Sequence, residues 1–519
     1  MKIIEDKYLI LKTRNADKIK EALPDSQVIQ TEDDIHTVAV EWELYEAQRL
    51  RSLKIKNVPS PILRDYSWPG LYKPMAHQRT TAEFLTLHTR AFCFNEQGTG
   101  KTGAAIWASD YLMSQGFINR VLVVCPLSIM QAAWQQDLFN FAMHRKVGIA
   151  HGDRHKRSKI INGDYDYVVI NYDGINIVLD ELRAGKFDLV IVDEANAYKN
   201  VKTQRWKSMR SLVTDATWLW MMTGTPAAQS PVDAYGLAKL CVPENVSRFF
   251  GAFRESVLTQ ISRFKWAPKP DAAEKVHNVL QPAIRFEKKD CLDLPAVTYM
   301  EREAPLTPQQ EKYYNILRED FLMEAGDEVV TSPNMAVNIS KLLQVSGGAV
   351  YTNSGATLEF DVSNRLNVIE EVINESSNKV LVFVPFTHTI RLVEDHLKKN
   401  GIPCEVVSGD TSVTKRNDIF GRFQTKDADD IKVLIIQPKA AAHGVTLTAA
   451  DTVIWYAPVT SAETYLQANA RIDRQGQKNA MTVVHVQGSP IERKLYRALR
   501  EKLLSHGQLI DLYNDEIKK

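Results

Sequence analysis

One short segment places small residues, a lysine and a threonine at the spacing that suits phosphate binding. The apolar run 91–94 leads directly into residues 95–102, NEQGTGKT, and a helix-like apolar stretch follows. A glycine-containing loop between a buried strand and a helix start can hold phosphate with its backbone N–H groups. Such a cradle would consist of Gly98, Thr99 and Gly100. Lys101 would then reach the β- and γ-phosphates of ATP, and Thr102 would place its hydroxyl on magnesium.

A pair of carboxylates follows another apolar run. Residues 189–192 lead directly into Asp193 and Glu194. Open α/β sheets bind their ligands at the carboxyl ends of the strands. Asp193 would hold magnesium through water, and Glu194 would orient and deprotonate the attacking water. The simpler alternative, an acidic cap on the next helix, is less favoured because a phosphate loop lies upstream.

Two arginines three residues apart stand near the C-terminal end of the sequence. Residues 467–477 read QANARIDRQGQ and contain Arg471 and Arg474. On a helix, both side chains would lie on one face. Guanidinium groups can stabilise the charge that develops on a phosphoryl group during transfer. The alternative for such a pair, taken alone, is a solvent-exposed helix with surface ion pairs.

The elements that must position these residues are short, continuous apolar runs. They occur at 91–94, 121–125, 167–170, 189–192, 218–222, 380–385, 433–436, 452–456 and 482–486. Runs of β-branched and aromatic residues at this length suggest strands buried on both faces, as in parallel sheets under crossover helices. Because the runs form two clusters, the sequence predicts two α/β lobes.

Two regions differ from these lobes. Residues 240–350 are helical in pattern and are punctuated by prolines. Residues 1–70 predict a small α+β unit, with strands at 8–11 and 37–42 and a helix near 44–54. The stretch 59–74 has the composition of a linker.

Composition excludes several classes of protein. The 519 residues allow about two to four domains. With 44% hydrophobic and 24% charged residues, the chain has the balance of a globular protein and not of a disordered one. The net charge of +1 excludes a uniformly basic coat for nucleic acid. Five dispersed cysteines fit neither a disulfide framework nor a zinc site. No signal peptide or membrane-spanning run is expected.

The motifs together resemble the Swi/Snf type of helicase superfamily two. The resemblance covers about residues 72–500. Residues 75–78 resemble the glutamine motif, 95–102 match motif I, and 193–196 resemble the DEAH box with Asn196 in place of its histidine. In the second half, 380–385 resemble motif IV, 442–447 resemble motif V, and 467–477 fit the motif VI pattern QAxxRxxRxGQ.

The resemblance implies roles for single residues. Gln78 would read adenine, while Arg471 and Arg474 would act as arginine fingers that complete the ATP site when the lobes close. Contacts with DNA are implied for Pro126, Ser128 and Trp134 of motif Ia, Thr223, Gly224 and Thr225 of motif III, and Lys439, Gly444 and Thr446 around motif V. The segment from Arg285 through Lys288 and Lys289 to Pro295 resembles the basic crossing between the lobes of the family.

The resemblance also implies an architecture. It predicts an α/β protein with two RecA-like parallel-sheet lobes, helical insertions and a small α+β N-terminal domain. The expected boundaries are 1–70 for an N-terminal accessory domain, 71–295 for lobe 1 with a helical extension, and 296–519 for lobe 2 with a helical insertion at its start. No chromatin-reading module is recognisable, so a compact fork-remodelling, annealing-helicase or phage-type motor is expected rather than a nucleosome remodeller.

Local charge indicates where DNA would lie. From Lys199 to Asp290 there are 15 Lys and Arg residues against eight Asp and Glu. A second basic cluster follows motif Ia, at Arg145, Lys146, Arg154, Lys156, Arg157 and Lys159. Phosphate contacts position a protein without reading bases, so weak sequence preference and strong salt dependence are expected. Trp266 could stack on a base, although packing within a helical subdomain is the favoured alternative.

These inferences predict an ATP-dependent translocase on double-stranded DNA, with ATP and magnesium as cofactors. Its expected task is remodelling of branched DNA by fork regression, branch migration or annealing, in repair, recombination or replication. The alternatives are a strand-separating DNA or RNA helicase and a catalytically silent DNA-binding scaffold. A monomer without membrane attachment is expected, in the cytoplasm of a bacterial or phage-infected cell or in a eukaryotic nucleus.

Overall fold

The structure, a computed structural model, describes residues 1–227, 230–262, 265–327, 332–351, 357–425, 430–441 and 445–499. These residues form two compact units, one spanning Met1–Cys291 and the other beginning at Leu292. Each unit is built around its own parallel sheet.

The first unit begins with a small antiparallel sheet. Its strands are β1 (Lys2–Ile4), β2 (Tyr8–Thr13), β3 (Gln27–Glu32) and β4 (Ile35–Glu41). Its helices are α1 (Ala16–Ala22), α2 (Leu44–Ser52) and α3 (Ile62–Asp65). The strand order is β1-β2-β4-β3. Leu9 and Leu11 on β2 are buried while Tyr8 and Lys12 are exposed, which is the alternation of a sheet with one covered face. The predicted strands and helix of this region are confirmed.

The main sheet of the first unit is parallel throughout. The strands that follow in the chain are β5 (Arg90–Cys93), β6 (Val121–Cys125), β7 (Val147–Ala150), β8 (Tyr167–Asn171), β9 (Leu189–Asp193), β10 (Trp218–Met222), β11 (Leu258–Ser262), β12 (Lys265–Pro268) and β13 (Ala283–Ile284). Seven of them form the sheet in the order β13-β5-β10-β9-β6-β8-β7, while β11 and β12 form a separate hairpin. The central strands are buried on both faces, as their continuous apolar runs predict.

Helices cover this sheet. They are α4 (Ala76–Thr86), α5 (Lys101–Ser114), α6 (Gln136–Phe141), α7 (Arg154–Ile161), α8 (Tyr172–Ile177), α9 (Leu179–Ala184), α10 (Gln204–Leu212), α11 (Ala234–Cys241), α12 (Phe250–Val257), α13 (Ala272–Val279) and α14 (Lys288–Cys291). A π-helix, Met130–Gln135, precedes α6, and a 3₁₀ helix, Ala195–Tyr198, follows β9.

The second unit repeats the parallel arrangement. Its strands are β14 (Val297–Glu303), β15 (Ala349–Tyr351), β16 (Thr357–Glu359), β17 (Lys379–Phe383), β18 (Cys404–Val407), β19 (Val433–Ile436), β20 (Ala450–Trp455) and β21 (Met481–Gln487). Its helices are α15 (Pro308–Asp327), α16 (Ser332–Gly347), α17 (Ser363–Glu375), α18 (Thr387–Lys399), α19 (Val413–Gln424), α20 (Pro438–Ala441) and α21 (Ala462–Asn469). The six-stranded sheet has the order β14-β21-β20-β17-β19-β18. The prediction of two parallel-sheet α/β lobes with a small N-terminal α+β segment is confirmed.

The region 240–350 is helical only in part. It contains α12, α13, α15 and α16, but also the hairpin β11–β12 and the edge strand β14. Most residues of β14 are exposed, so it lacks the apolar run that identifies the central strands. Trp266 lies on strand β12 and not in a helix. Its ring is partly buried, and Arg254 Cζ lies 4.3 Å from the ring centroid.

The stretch 59–74 is packed and does not behave as a simple linker. Trp68 is 6% exposed and meets Trp107 of α5 edge to face, with ring centroids 5.7 Å apart. Trp107 Nε1 also donates a hydrogen bond to the carbonyl of Pro69 at 3.0 Å. One hydrophobic cluster runs from Leu9 on β2 through Trp68 to the buried side of α5. The N-terminal segment and lobe 1 therefore share a core.

Among the described residues, no helix has both the length and the apolar character needed to cross a membrane.

The shared core predicts a stability effect that reaches from the N-terminal sheet into lobe 1. Leu9→Ala should lower the free energy of unfolding by about 2–5 kcal/mol, because Leu9 is fully buried. Hydrogen exchange in peptides from α5 should accelerate as well. The control Ile29→Ala, at a side chain that is 61% exposed, should change stability by less than about 0.5 kcal/mol. Unchanged exchange in α5 of the Leu9 variant would show that the N-terminal segment unfolds independently.

Candidate active site

Strand order brings the phosphate loop and the acidic pair to one edge of the sheet. Strand β10 lies between β5 and β9, and Met222 is the register partner of both Cys93 and Asp193. Neighbouring strands are about 4.8 Å apart, so the two outer strands end roughly 10 Å from one another. Residues 95–102 leave β5 at this edge, and Glu194 follows β9 there. The two predicted groups are therefore adjacent.

The phosphate loop has the backbone shape that its glycines allow. Gly98 and Gly100 have φ values of 85° and 77°, in the left-handed region that glycine adopts at little cost. Helix α5 begins at Lys101 directly after Gly100. The free N–H groups of a helix's first turn favour an anion there. The local structure therefore suits a phosphate group.

Asn95 stands where the phosphate-loop pattern usually has its first glycine, and it anchors the loop. Its side chain is 1% exposed. Asn95 Nδ2 donates to Thr81 Oγ1 at 2.8 Å, and its Oδ1 accepts from the backbone N–H of Phe286 at 3.0 Å. The departure from the pattern thus adds two hydrogen bonds, one buried and one partly buried, that fix the start of the loop.

The interior of the loop also offers polar groups for a nucleotide. Lys101 Nζ donates to the carbonyl of Glu96 at 3.2 Å and remains partly exposed. Gln97 is 7% exposed, and among the described residues neither of its buried amide atoms has a hydrogen-bond partner. A buried amide without partners is costly, and a bound phosphate oxygen would accept a hydrogen bond from Gln97 Nε2 and relieve part of that cost. The loop therefore fits the phosphates of ATP.

Gln78 braces the phosphate loop. Its Oε1 accepts from the backbone N–H of Met75 at 2.9 Å, and its Nε2 donates to the carbonyl of Gly100 at 3.3 Å. The neighbouring His77 contacts the carbonyl of Thr99 through Nε2 at 2.8 Å. Adenine recognition by Gln78 stays a prediction, and it would require the amide to exchange these partners.

Asp193 is a carboxylate held by fixed donors. Its Oδ1 accepts from the backbone N–H of Glu194 at 3.0 Å, and its Oδ2 accepts from Trp134 Nε1 at 2.9 Å. Burial raises the pKa of Asp193, while the charge of Lys101 and the two hydrogen bonds act in the opposite direction. The carboxylate thus depends on nearby positive charge and donors to remain ionised in its buried position.

Glu194 is the second residue of the acidic pair, and Tyr172 contacts the backbone of both residues. Glu194 has a φ of 49°, in the left-handed region, where a non-glycine residue is uncommon. Tyr172 Oη donates to the carbonyls of Asp193 and Glu194 at 2.6 and 3.2 Å. Tyr172 is not among the residues that the sequence motifs select. Its position at the carboxyl end of β8, beside the other site strands, is the signal that could have identified it.

Asn196 connects the acidic pair to motif III within the first unit. Its Nδ2 donates to the carbonyl of Thr225 at 2.8 Å and to Thr225 Oγ1 at 3.1 Å. Thr223 Oγ1 in turn accepts from the backbone N–H of Thr225 at 3.3 Å. The residue that replaces the family's histidine therefore still bonds across to motif III.

The donor set fits magnesium held together with a nucleotide. Among the described residues, no cluster of three or more His, Cys, Asp or Glu side chains could cage a metal by itself. Magnesium commonly takes one or two protein oxygens together with substrate phosphates and water. Thr102 and Asp193 would supply those protein oxygens at this edge of the sheet.

Most of the residues predicted to contact DNA in the first unit are buried, namely Pro126, Trp134, Thr223, Gly224 and Thr225. Trp134 and Thr223 have no exposed surface, and the indole N–H of Trp134 is directed at Asp193. The contacts of these five residues in this structure are internal, and contact with DNA stays a prediction for them.

The remaining residues predicted to contact DNA are either exposed or outside the described residues. The side chain of Ser128 and the whole of Gly444 lie outside the described residues. Lys439 on α20 and Thr446 are exposed in the second unit, so contact with DNA stays a prediction for both.

Helix α21 ends at Asn469, so Arg471 and Arg474 lie beyond it and do not share a helical face. Arg471 lies in the turns that follow and is 2% exposed. Its Nε donates to the carbonyl of Gln467 at 2.8 Å, and its Nη1 donates to the carbonyl of Val445 at 3.2 Å. In this structure Arg471 therefore ties motif VI to motif V from the interior.

Arg474 is the more accessible of the two arginines. Its side chain is partly exposed. Its Nε donates to the carbonyl of Ala470 at 2.9 Å, and its Nη1 donates to Thr446 Oγ1 at 3.3 Å. An arginine-finger role stays a prediction for this residue.

Several residues of the basic clusters are internal. Arg285 is 1% exposed and donates to the carbonyls of Phe94 and Gly224, so it braces the phosphate loop against motif III. Lys288 is also buried. In the cluster after motif Ia, Arg145 pairs with Asp110, Lys146 with Asp164 and Arg154 with Glu181, while Arg157 is buried. Counts of basic residues therefore overstate the charge that DNA could meet.

The contact between Gln78 and Gly100 predicts a selective loss of nucleotide affinity. A Cβ atom on Gly100 would overlap Gln78 Nε2, whereas one on Gly116 would meet nothing within 4 Å. The two glycines have similar φ values of 77° and 74°, so alanine should cost about 1–2 kcal/mol of strain at either position. Only Gly100→Ala should also weaken binding of a fluorescent ATP analogue, by about two- to tenfold. Equal affinities in the two variants would show that Gln78 does not support the loop.

Comparison with known proteins places the chain in a family. The family model for the SNF2-related domain matches residues 77–346, which is just over half of the chain. The model for the helicase conserved C-terminal domain matches residues 364–476.

Similar proteins come from several organisms. The chromodomain-helicase-DNA-binding protein 1-like of Danio rerio is 26% identical over 79% of this chain and 41% of the relative, and that of Mus musculus is 26% identical over 88% and 52%. The chain thus spans about half the length of these relatives. A Sulfolobus solfataricus SWI2/SNF2 ATPase core, solved with double-stranded DNA, is 22% identical over 83% of this chain and 92% of that chain, with a TM-score of 0.42. On the match to the family models, the chain belongs to the SNF2-related, Swi/Snf-type ATPases of helicase superfamily two, a class of DNA-dependent ATPases.

Proposed function

We propose that this chain is an ATP-dependent translocase on double-stranded DNA that remodels branched DNA. The observation that carries the proposal is the meeting of the phosphate loop with Asp193 and Glu194 at one sheet edge, in a member of this ATPase family. An arrangement with the lysine and both carboxylates in place favours an active enzyme over a silent scaffold.

Different residues of the first unit bind the phosphates and activate the attacking water during ATP hydrolysis. The N–H groups at the start of α5 and the Lys101 ammonium bind the phosphates and balance their charge. Glu194 orients the attacking water and accepts its proton. Thr102 and Asp193 would hold magnesium, which would neutralise charge that develops on the phosphate oxygens. Arg474 is proposed to add positive charge during the same step.

DNA is the proposed track. The names of the Danio rerio and Mus musculus relatives describe DNA-binding helicases, which supports this choice. Exposed cations of the first unit that could meet phosphate include Lys202, Lys207 and Arg210, on and just before α10. In the second unit, Lys439 and Thr446 are exposed. Such contacts are made to the backbone of DNA, so little sequence preference is expected.

The finer task is the remodelling of forks or four-way junctions, by regression, branch migration or annealing. Nucleosomal DNA is the competing substrate, because the Arabidopsis thaliana relative is named a CHD3-type chromatin-remodeling factor. ATP turnover measured with duplex, forked, four-way and nucleosomal DNA would separate the two. Stimulation that is greatest with forked or four-way DNA supports the proposal, and stimulation that is greatest with nucleosomes overturns this part of it.

Substitution of the catalytic groups should separate binding from hydrolysis. Lys101→Ala should abolish binding of the ATP analogue, because the β- and γ-phosphates lose their cation. Glu194→Gln keeps the side chain's size but cannot accept a proton, so it should bind the analogue normally and turn over about 10²–10⁴ times more slowly. Turnover should be recorded with and without duplex DNA. A wild-type protein whose turnover is not stimulated by duplex DNA would contradict the proposal.

Lys439 provides a test of the DNA track. Lys439→Ala should weaken DNA binding similarly for all sequences and reduce the slope of log affinity against log salt by about one. Basal turnover without DNA should be unchanged. Lys398→Ala is the matched control, because Lys398 is an exposed lysine of the same unit that pairs with Glu394 on α18. Equal salt slopes in the two variants would remove Lys439 from the track.

A further inference from the structure

A buried tryptophan from motif Ia bonds directly to the proposed metal-binding carboxylate. Trp134 has no exposed surface, and its Nε1 lies 2.9 Å from Asp193 Oδ2. The other oxygen of the carboxylate accepts from the backbone N–H of Glu194. In the described part of the chain each oxygen of Asp193 accepts one hydrogen bond, from the indole N–H of Trp134 at Oδ2 and from the backbone at Oδ1.

The local backbone explains how a residue of motif Ia reaches this point. Trp134 belongs to the π-helix Met130–Gln135, which interrupts the path from Pro126 to α6. π-helical turns are rare, and they occur frequently at functional sites. On one side of the segment Ile129, Met130 and Trp134 are buried, while on the other Leu127 is 53% exposed. The π-helix thus places Trp134 in the interior beside Asp193, while Leu127 on the same segment remains exposed.

Groups that orient a metal-binding side chain help to set the affinity of the site for the metal. A hydrogen bond to one carboxylate oxygen fixes the plane of the carboxylate and leaves a defined direction for the metal or its water. Loss of such a partner typically costs about 10–100-fold in metal affinity or activity. Indole is suited to this position, because it donates one hydrogen bond and cannot compete as a ligand.

We propose that Trp134 is a positioning residue that orients the Asp193 carboxylate for magnesium. This inference rests on the proposed function of the site, since it requires that Asp193 bind magnesium with the nucleotide. It assigns to Trp134 a role different from the DNA contact that its motif implies.

The decisive variant is Trp134→Phe, which removes the N–H and keeps an aromatic ring in the core. Trp42→Phe is the matched control. Trp42 lies in the N-terminal segment and is 4% exposed, and its Nε1 donates to the carbonyl of Pro59 at 2.9 Å. Both variants lose one buried indole hydrogen bond of the same length. The acceptor that loses its hydrogen bond is Asp193 in Trp134→Phe and the carbonyl of Pro59 in Trp42→Phe.

The experiment measures equilibrium binding of a fluorescent ADP analogue in the presence of magnesium and in the presence of EDTA. In Trp134→Phe, the gain in affinity that magnesium gives should shrink by about tenfold or more relative to the wild type. Affinity in EDTA should match the wild type, and this shows that the variant is folded. Trp42→Phe should keep the full magnesium gain, even though its thermal stability falls.

Two results would overturn the inference. If Trp134→Phe kept the full magnesium gain and lost only stability, as the control does, Trp134 would be a packing residue. If it lost affinity equally with and without magnesium, its effect would be on the nucleotide pocket as a whole. A wild-type protein with no magnesium gain would instead show that the metal role in the proposed function is wrong.

Discussion

The register of three parallel strands is the constraint on which the first unit depends. Because Met222 of β10 pairs with both Cys93 and Asp193, strands β5 and β9 must end at the same level. The phosphate loop, motif III and the acidic pair then leave the sheet side by side. Since a slip of one residue reverses the faces of a strand, the buried side chains of β10 also protect the spacing of the site. Arg285, which bonds to the carbonyls of Phe94 and Gly224, reinforces the same alignment.

The strands of both lobes could be predicted because their cause is local. A strand buried on both faces needs a continuous apolar run, and residues 121–125 and 433–436 show this directly. The edge strand β14 was not predicted, because most of its residues are exposed to solvent. Spacing alone did not show where helix α21 ends, and Arg471 lies beyond its last residue, Asn469, where it donates to the carbonyl of Val445 in a segment distant in sequence.

For the site, residue types and spacing indicated the chemistry but not the direction in which each side chain points. Lys101, Asp193 and Glu194 could be selected because few other arrangements place such groups after buried strands. The bond from Trp134 to Asp193 could not be predicted, since the orientation of this side chain follows from a π-helix that has no sequence signature in this segment. Surface charge was overestimated for a similar reason. A count of basic residues does not distinguish Lys202, which is exposed, from Arg285, which is buried.

The common core of the N-terminal segment and lobe 1 has a consequence for how this protein can be dissected. Trp68 and Trp107 pack together, and Leu9 belongs to the same cluster as the buried side of α5. Cutting the chain after residue 70 would leave part of that cluster open to water on the helix that carries Lys101. A truncated protein that lost activity would thus report a damaged motor and reveal nothing about recognition. Any role of the segment in recognition is therefore better probed by substitution of exposed residues on its strands, which leave the shared cluster intact.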